Sequence, residues 1–224
     1  MSLKDIRVQY RGVPDDSTQE LRQAISDKVG ALIELTFATW AYESIPCGDE
    51  DHHTVLFRDA LNSHIQSVPE YQTFYASISE AVVTDELRSG ASALKAAKRP
   101  DLTINVRAHP VAHIEAKIID RAKRAREYVK SGMERFATGV YGAGHLRGYM
   151  LGYLHGVSVD DVLQSIRTTI DGKPAYCKWS DPNVPKQVGK GARFESIVGR
   201  DGSRRRNAIR IELVHYAYIC EAES

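Results

Sequence analysis

Residues 99–106 and 113–119 read as two short apolar strands joined by a turn that contains Pro110, and each carries charge where a buried strand would prefer none. Asp101 opens the first, while Glu115 and Lys117 stand two apart in the second. Side chains alternate across a strand, so Glu115 and Lys117 share a face. If the strands are neighbours, Asp101 approaches that face as well. Two carboxylates and a lysine at one sheet edge make a Mg²⁺ site with a cation beside it, which is what phosphodiester hydrolysis requires. The plain alternative is a strand pair whose charges face water. Apolar residues flank both motifs and a cation-rich segment follows them, which favours convergence over solvation.

The remaining pattern places this pair within an α/β chain. A helix is expected from Ser17 or Thr18 to about Trp40, with Leu21, Ile25, Val29, Leu32, Ile33 and Phe37 spaced by three and four. A second begins near Asp49-Glu50-Asp51, runs through Ile65 and is limited by Pro69. Segment 70–88 is ambiguous, since Phe74 and Ile78 suit a helix and residues 81–84 suit a strand. Residues 89–98 read as a loop and 120–138 as a helix that Gly132 weakens. Gly142-Ala143-Gly144 ends that element, and residues 151–154 form a strand among glycines. Ser158 with Asp160 and Asp161 caps a helix over 162–170. Residues 173–192 read as a long loop, and 194–199 with 208–220 as a hairpin around Asp201-Gly202. This order predicts an α/β sandwich of mixed pairing, with residues 1–48 an N-terminal extension packed on a domain spanning 49–224.

Bulk charge does not announce a polyanion partner, because 30 basic residues face 29 acidic ones. The cations are clustered, however, along residues 117–126 and 186–206, and local basic surface beside an acidic metal site can hold nucleic-acid phosphates. Cys47, Cys177 and Cys220 show no metal-knuckle spacing and suggest a reducing compartment. No charged-then-apolar leader and no apolar run of membrane length occurs, so the expectation is a soluble, cytoplasmic protein with no membrane partner.

Pro100-Asp101 with Glu115-Ala116-Lys117 resembles the signature of the PD-(D/E)xK nuclease superfamily, the fold of many restriction and repair endonucleases. Residues 128–132, 135–136, 139–141 and 148–153 are similar to the region after the motif in bacterial members associated with phage defence. The resemblance covers about residues 49–220. It implies a restriction-endonuclease-like mixed central sheet flanked by helices, with core order helix, three-stranded meander, helix, strand, here with an N-terminal helical addition. It further implies an endonuclease using Mg²⁺, or Mn²⁺ in its place, held by Asp101, Glu115 and the Ala116 carbonyl. Lys117 would orient the water or stabilise transition-state charge, and Glu50 on the preceding helix would complete the site. A helix-terminal charge is the plain reading of Glu50.

DNA is the substrate the resemblance favours over RNA. Lys123, Arg124, Arg204 and Arg205 are the candidate phosphate contacts, and a homodimer or a subunit of a larger defence complex is the expected assembly. One departure is that some branches place Gln four residues before a Tyr on the helix after the lysine, where this chain has Arg124 before Tyr128. A catalytically inactive relative that binds nucleic acid or protein is the alternative. His52-His53 suggests zinc only weakly, because adjacent helical residues point about 100° apart, and a solvated helix start explains the pair. His113 shares the Glu115 face but reads more simply as an edge-strand histidine. Tyr149 and Tyr153 read as part of a half-buried strand.

Overall fold

Apolar residues on both faces of one sheet set the architecture, because each face must be covered by helices. A computed structural model describes residues 16–40, 50–78, 100–107, 109–142, 144–171, 185–199 and 210–220. Helix α1 (Asp16–Thr39) and helix α2 (Glu50–Ser67) precede a 3₁₀ turn at Pro69–Tyr71 and strand β1 (Phe74–Ile78). Strands β2 (Leu102–Val106) and β3 (His109–Ile119) follow. Next, α3 (Ala122–Glu127), a π-helical turn (Tyr128–Met133) and α4 (Glu134–Ala137) run end to end. Strand β4 (Arg147–His155), helix α5 (Val159–Ile170) and strands β5 (Lys186–Val188), β6 (Gly191–Gly199) and β7 (Arg210–Cys220) complete the order.

The seven strands form one mixed sheet in the order β1-β2-β3-β4-β7-β6-β5. β1, β2 and β3 are an antiparallel meander, while β3, β4 and β7 are mutually parallel at the centre. Val29, Leu32, Ile33 and Phe37 of α1 pack with Phe57, Leu61 and Ile65 of α2 over one face, against Ile114, Ala116 and Ile118 of β3. The π turn, α4 and α5 cover the other face with Tyr128, Val129, Met133, Phe136, Val162 and Ile166. The chain is therefore mixed α/β, with helices on both sides of a mixed sheet. Among the described residues no helix is long and apolar enough to cross a membrane.

Several expectations are corrected. Phe74 and Ile78 lie in a strand rather than a helix, since pairing with β2 decides a segment whose pattern fits both. The loop expected over 173–192 includes β5 and the start of β6, joined through Gly189, whose φ of 54° suits a Gly-first two-residue hairpin turn. Lys186, one of the lysines in that segment, sits on this edge strand, a common placement. Pro110 lies inside β3, beside a register shift between Ile104 and Asn105, so it is not a turn residue. β4 is buried on both faces, not half-buried, because it is a central parallel strand. The Ser158 cap is present as a full capping box with Asp161. Residues 81–98, 173–184 and the Asp201-Gly202 turn lie outside the described residues.

Two glycines set close approaches with different tolerance. A Cβ at Gly191 would lie 2.1 Å from the Ala217 carbonyl oxygen, whereas one at Gly132 would meet the Met150 methyl end at 2.4 Å. Backbone cannot yield as a methionine tip can. Gly191→Ala is therefore expected to lower stability by about 3 kcal/mol, the upper range of overpacking, and Gly132→Ala by less. Chemical denaturation midpoints of the two variants check this order.

Candidate functional site

The motif strands separate where the site begins. Pairing of β2 with β3 starts at Leu102 opposite Ile114, so among the described residues no strand pairs with β3 beyond Ile114 on that side. Its outward backbone groups need other partners. Asp101 Oδ2 accepts the Ala116 N–H at 2.6 Å, and Glu50 Oε2 accepts the Ile118 N–H at 3.1 Å. The carboxylates thus serve as substitutes for the missing strand, and the Ala116 carbonyl opens on the same edge between them. Glu50 is the first residue of α2, which carries it to this edge from the opposite face of the sheet.

Lys117 gathers the charges. Its Nζ lies 2.9 Å from Glu50 Oε1, 3.0 Å from Glu115 Oε1 and 3.6 Å from Asp101 Oδ2, and it donates to the Ala116 carbonyl. Exposure falls inward, from 30% and 27% for the Glu50 and Asp101 side chains to 16% for Lys117 and 0% for Glu115. Glu50 and Asp101 therefore form the solvent side of the cluster, with Glu115 at its floor.

Arg135 is the residue that sequence reasoning missed. Its guanidinium donates to Glu115 Oε1 at 2.6 Å and to the Tyr141 hydroxyl at 2.8 Å. It comes from α4, beyond the π turn, which widens the helix and shifts the phase of everything after it. The π turn packs beside Glu115 at ordinary contact distance, since a Cβ at Gly132 would lie 3.6 Å from its Cγ. The second Glu115 oxygen, Oε2, is buried with no hydrogen-bond partner.

Burial pushes the Glu115 carboxyl up to about 7, with Asp101 adding to the effect and Lys117 and Arg135 opposing it. Asp101 is also raised, first by burial, against the pull of Lys117 and the Ala116 N–H. Burial works against the Lys117 ammonium, but Glu115, Asp101 and Glu50 outweigh it and push its pKa up to about 12. The site as a whole is short of positive charge. A raised carboxyl stabilises the fold below its unfolded pKa, and that contribution is lost as pH rises through the folded value. Without divalent cations, folding stability is therefore expected to fall between about pH 4.5 and 7, by up to about 3 kcal/mol from Glu115, and the thermal midpoint with it. Melting curves in chelator across this interval check it. Glu115→Gln should flatten the trend, and a rise in stability over the same interval would contradict it.

Other expected contacts fare differently. Arg124 lies on α3, with Nε 3.4 Å from Asp120 Oδ1, so it is engaged by a carboxylate. Lys123 lies on α3 with its side chain outside the described residues, and Arg204 and Arg205 also lie outside them. His113 is buried inside β3, between β2 and β4, and its Nδ1 accepts the Gly142 N–H at 2.9 Å; it is not an edge histidine. His53 is fully buried and stacked on Tyr153 at 4.6 Å, which corrects the solvated helix start for that residue, whereas His52 is exposed as expected. Ser196, His215 and Tyr128 form a hydrogen-bonded row at 2.8 Å per link, yet all three are sealed in the core. Burial pushes His215 down to about 3, so the row is neutral packing rather than a nucleophile and base.

No protein-family model matches this chain, and no curated protein or solved structure matches it either. The functional reading rests on the site.

Proposed function

We propose that the chain is a divalent-cation-dependent nuclease of the PD-(D/E)xK, restriction-endonuclease-like kind. The observation that carries the proposal is the convergence of Glu50, Asp101 and Glu115, from three elements, on Lys117 at the frayed β2–β3 edge. The order α2, antiparallel β1-β2-β3, α3 to α4, then β4 parallel to β3 supports it, since it is the core order that the resemblance implies.

The donor set fits a hard cation: carboxylate oxygens of Asp101 and Glu115 and the Ala116 carbonyl, with Glu50 alongside. The buried, unpartnered Glu115 Oε2 and the raised Glu115 carboxyl are what a site lacking positive charge displays. Mg²⁺, or Mn²⁺ in its place, would supply Lewis-acid polarisation of the phosphate and a more acidic attacking water. The chain's own residues do the rest. The Ala116 and Ile118 amides fix Asp101 and Glu50, and Arg135 fixes Glu115, so the acceptors are held before substrate arrives. Lys117 is kept charged by its carboxylates and so acts by stabilising negative charge on the phosphoryl oxygens, not as a base.

A nuclease-fold scaffold with a purely structural ion network is the rival. Such a network is retained at least cost when every member is satisfied, and Glu115 Oε2 is not. DNA is the substrate class that the resemblance favours. The test is incubation with supercoiled DNA, single-stranded DNA and RNA in Mg²⁺, Mn²⁺ or chelator. Cation-dependent cleavage of at least one supports the reading. Salt-sensitive binding without cleavage in either cation would favour the scaffold.

A further inference from the structure

We infer that His53, His155 and Cys220 form a second metal site, for a borderline-soft transition-metal ion of the zinc class, distinct from the carboxylate cluster. The three ligand atoms lie within 4.8 Å of one another, the one group of three His, Cys, Asp or Glu so placed among the described residues. Three separate parts of the fold bring them together. His155 ends β4 directly opposite Cys220, which ends β7, in parallel register. His53 descends onto this pair from α2, fully buried, with its ring 5.5 Å from that of His155.

The chemistry matches the ion. Two imidazoles and a thiolate are the ligand set that selects zinc over Mg²⁺, and a three-residue site leaves a fourth position for water. His155 Nε2 is buried without a hydrogen-bond partner, which a coordinate bond would satisfy. Cys220 is buried and forms no disulfide. Asp120 follows the β3 residue Ile119, which is paired with the residue before His155, and its negative charge bears on that ring. A tetrahedral ion with bonds of roughly 2.0–2.3 Å holds its ligands about 3.5 Å apart, which atoms within 4.8 Å of one another reach by small side-chain shifts.

Aromatic packing of His53 on Tyr153 is the competing account of this burial. The consequence separates the two. His53 lies one helical turn after Glu50 on the same helix, so an ion here ties the start of α2 to the ends of β4 and β7.

The test is titration of chelator-treated full-length protein with Co²⁺, followed in the near-ultraviolet for a thiolate-to-cobalt band. Saturation at about one cobalt per chain, displacement by Zn²⁺ and a higher thermal midpoint with Zn²⁺ are expected. The band should vanish in Cys220→Ala and in His53→Ala. Because Cys220→Ala could fail to fold, the Cys47→Ala/Cys177→Ala double variant provides a second reading. It keeps Cys220 and should keep the band. Absence of a thiolate band in folded wild type, or its loss in the double variant while Cys220→Ala retains it, would overturn the site. Neither readout involves cleavage, so this site and the nuclease reading can fail independently.

Discussion

Replacing Lys117 by alanine is expected to reduce Mg²⁺-dependent cleavage by at least about a hundredfold, the usual loss when a preorganised charge at a developing oxyanion is removed. Lys117 Nζ is within 3.0 Å of Glu50 and Glu115 and also contacts the Ala116 carbonyl, so no neighbour can replace it. The same substitution has a second effect. It leaves three carboxylates around a cavity with only Arg135 to answer them, so the metal-free variant should be destabilised by about 3 kcal/mol at neutral pH. Divalent cation should restore part of that stability while leaving cleavage lost. Stability recovered by Mg²⁺ without activity is the combination that separates a catalytic lysine from a structural one. Full activity in folded Lys117→Ala would remove this role.

Arg135→Met carries the other large expectation. Arg135 hydrogen-bonds both Glu115 and Tyr141, and its long stem can be replaced by methionine with little change in packing. Loss of the guanidinium removes an opposing charge from a carboxyl already raised to about 7, so Glu115 should be protonated through neutral pH. The expected result is a destabilisation of about 2–3 kcal/mol at pH 8, below the full cost of breaking a buried pair because the arginine is partly exposed. At pH 5, where Glu115 is neutral in either chain, the difference should shrink. A higher Mg²⁺ requirement for cleavage should accompany it. Denaturation at the two pH values checks the first statement, and a loss that does not depend on pH would assign Arg135 to packing alone.

The distribution of what could be read from the sequence follows from how local each signal is. Asp101, Glu115 and Lys117 were legible because strand alternation is a two-residue period and their relation needs only one antiparallel pairing. Glu50 required a guess that α2 starts beside that edge, since the start of a helix also explains an acidic residue. Arg135 was hidden by the π turn, which breaks the helical phase between α3 and α4. The His53, His155 and Cys220 group was invisible for another reason: it depends on the register of β4 against β7 and on the depth at which α2 packs. The β5–β6 hairpin was lost to composition, because Lys186 on a three-residue edge strand and Lys190 in its turn look like a loop. The central sheet was readable as a class of fold, whereas its order, with β7 between β4 and β6, depends on contacts far apart in the chain.

Cleavage of supercoiled plasmid by wild type and by Glu115→Gln, in matched Mg²⁺ and with folding of both verified, tests the central claim most directly. Glutamine keeps the size of the buried side chain and removes only the charge that a cation needs. The account predicts nicked and linear products from wild type, none in chelator, and none from Glu115→Gln. Equal cleavage by the two proteins, or cleavage by wild type that persists in chelator, would contradict it.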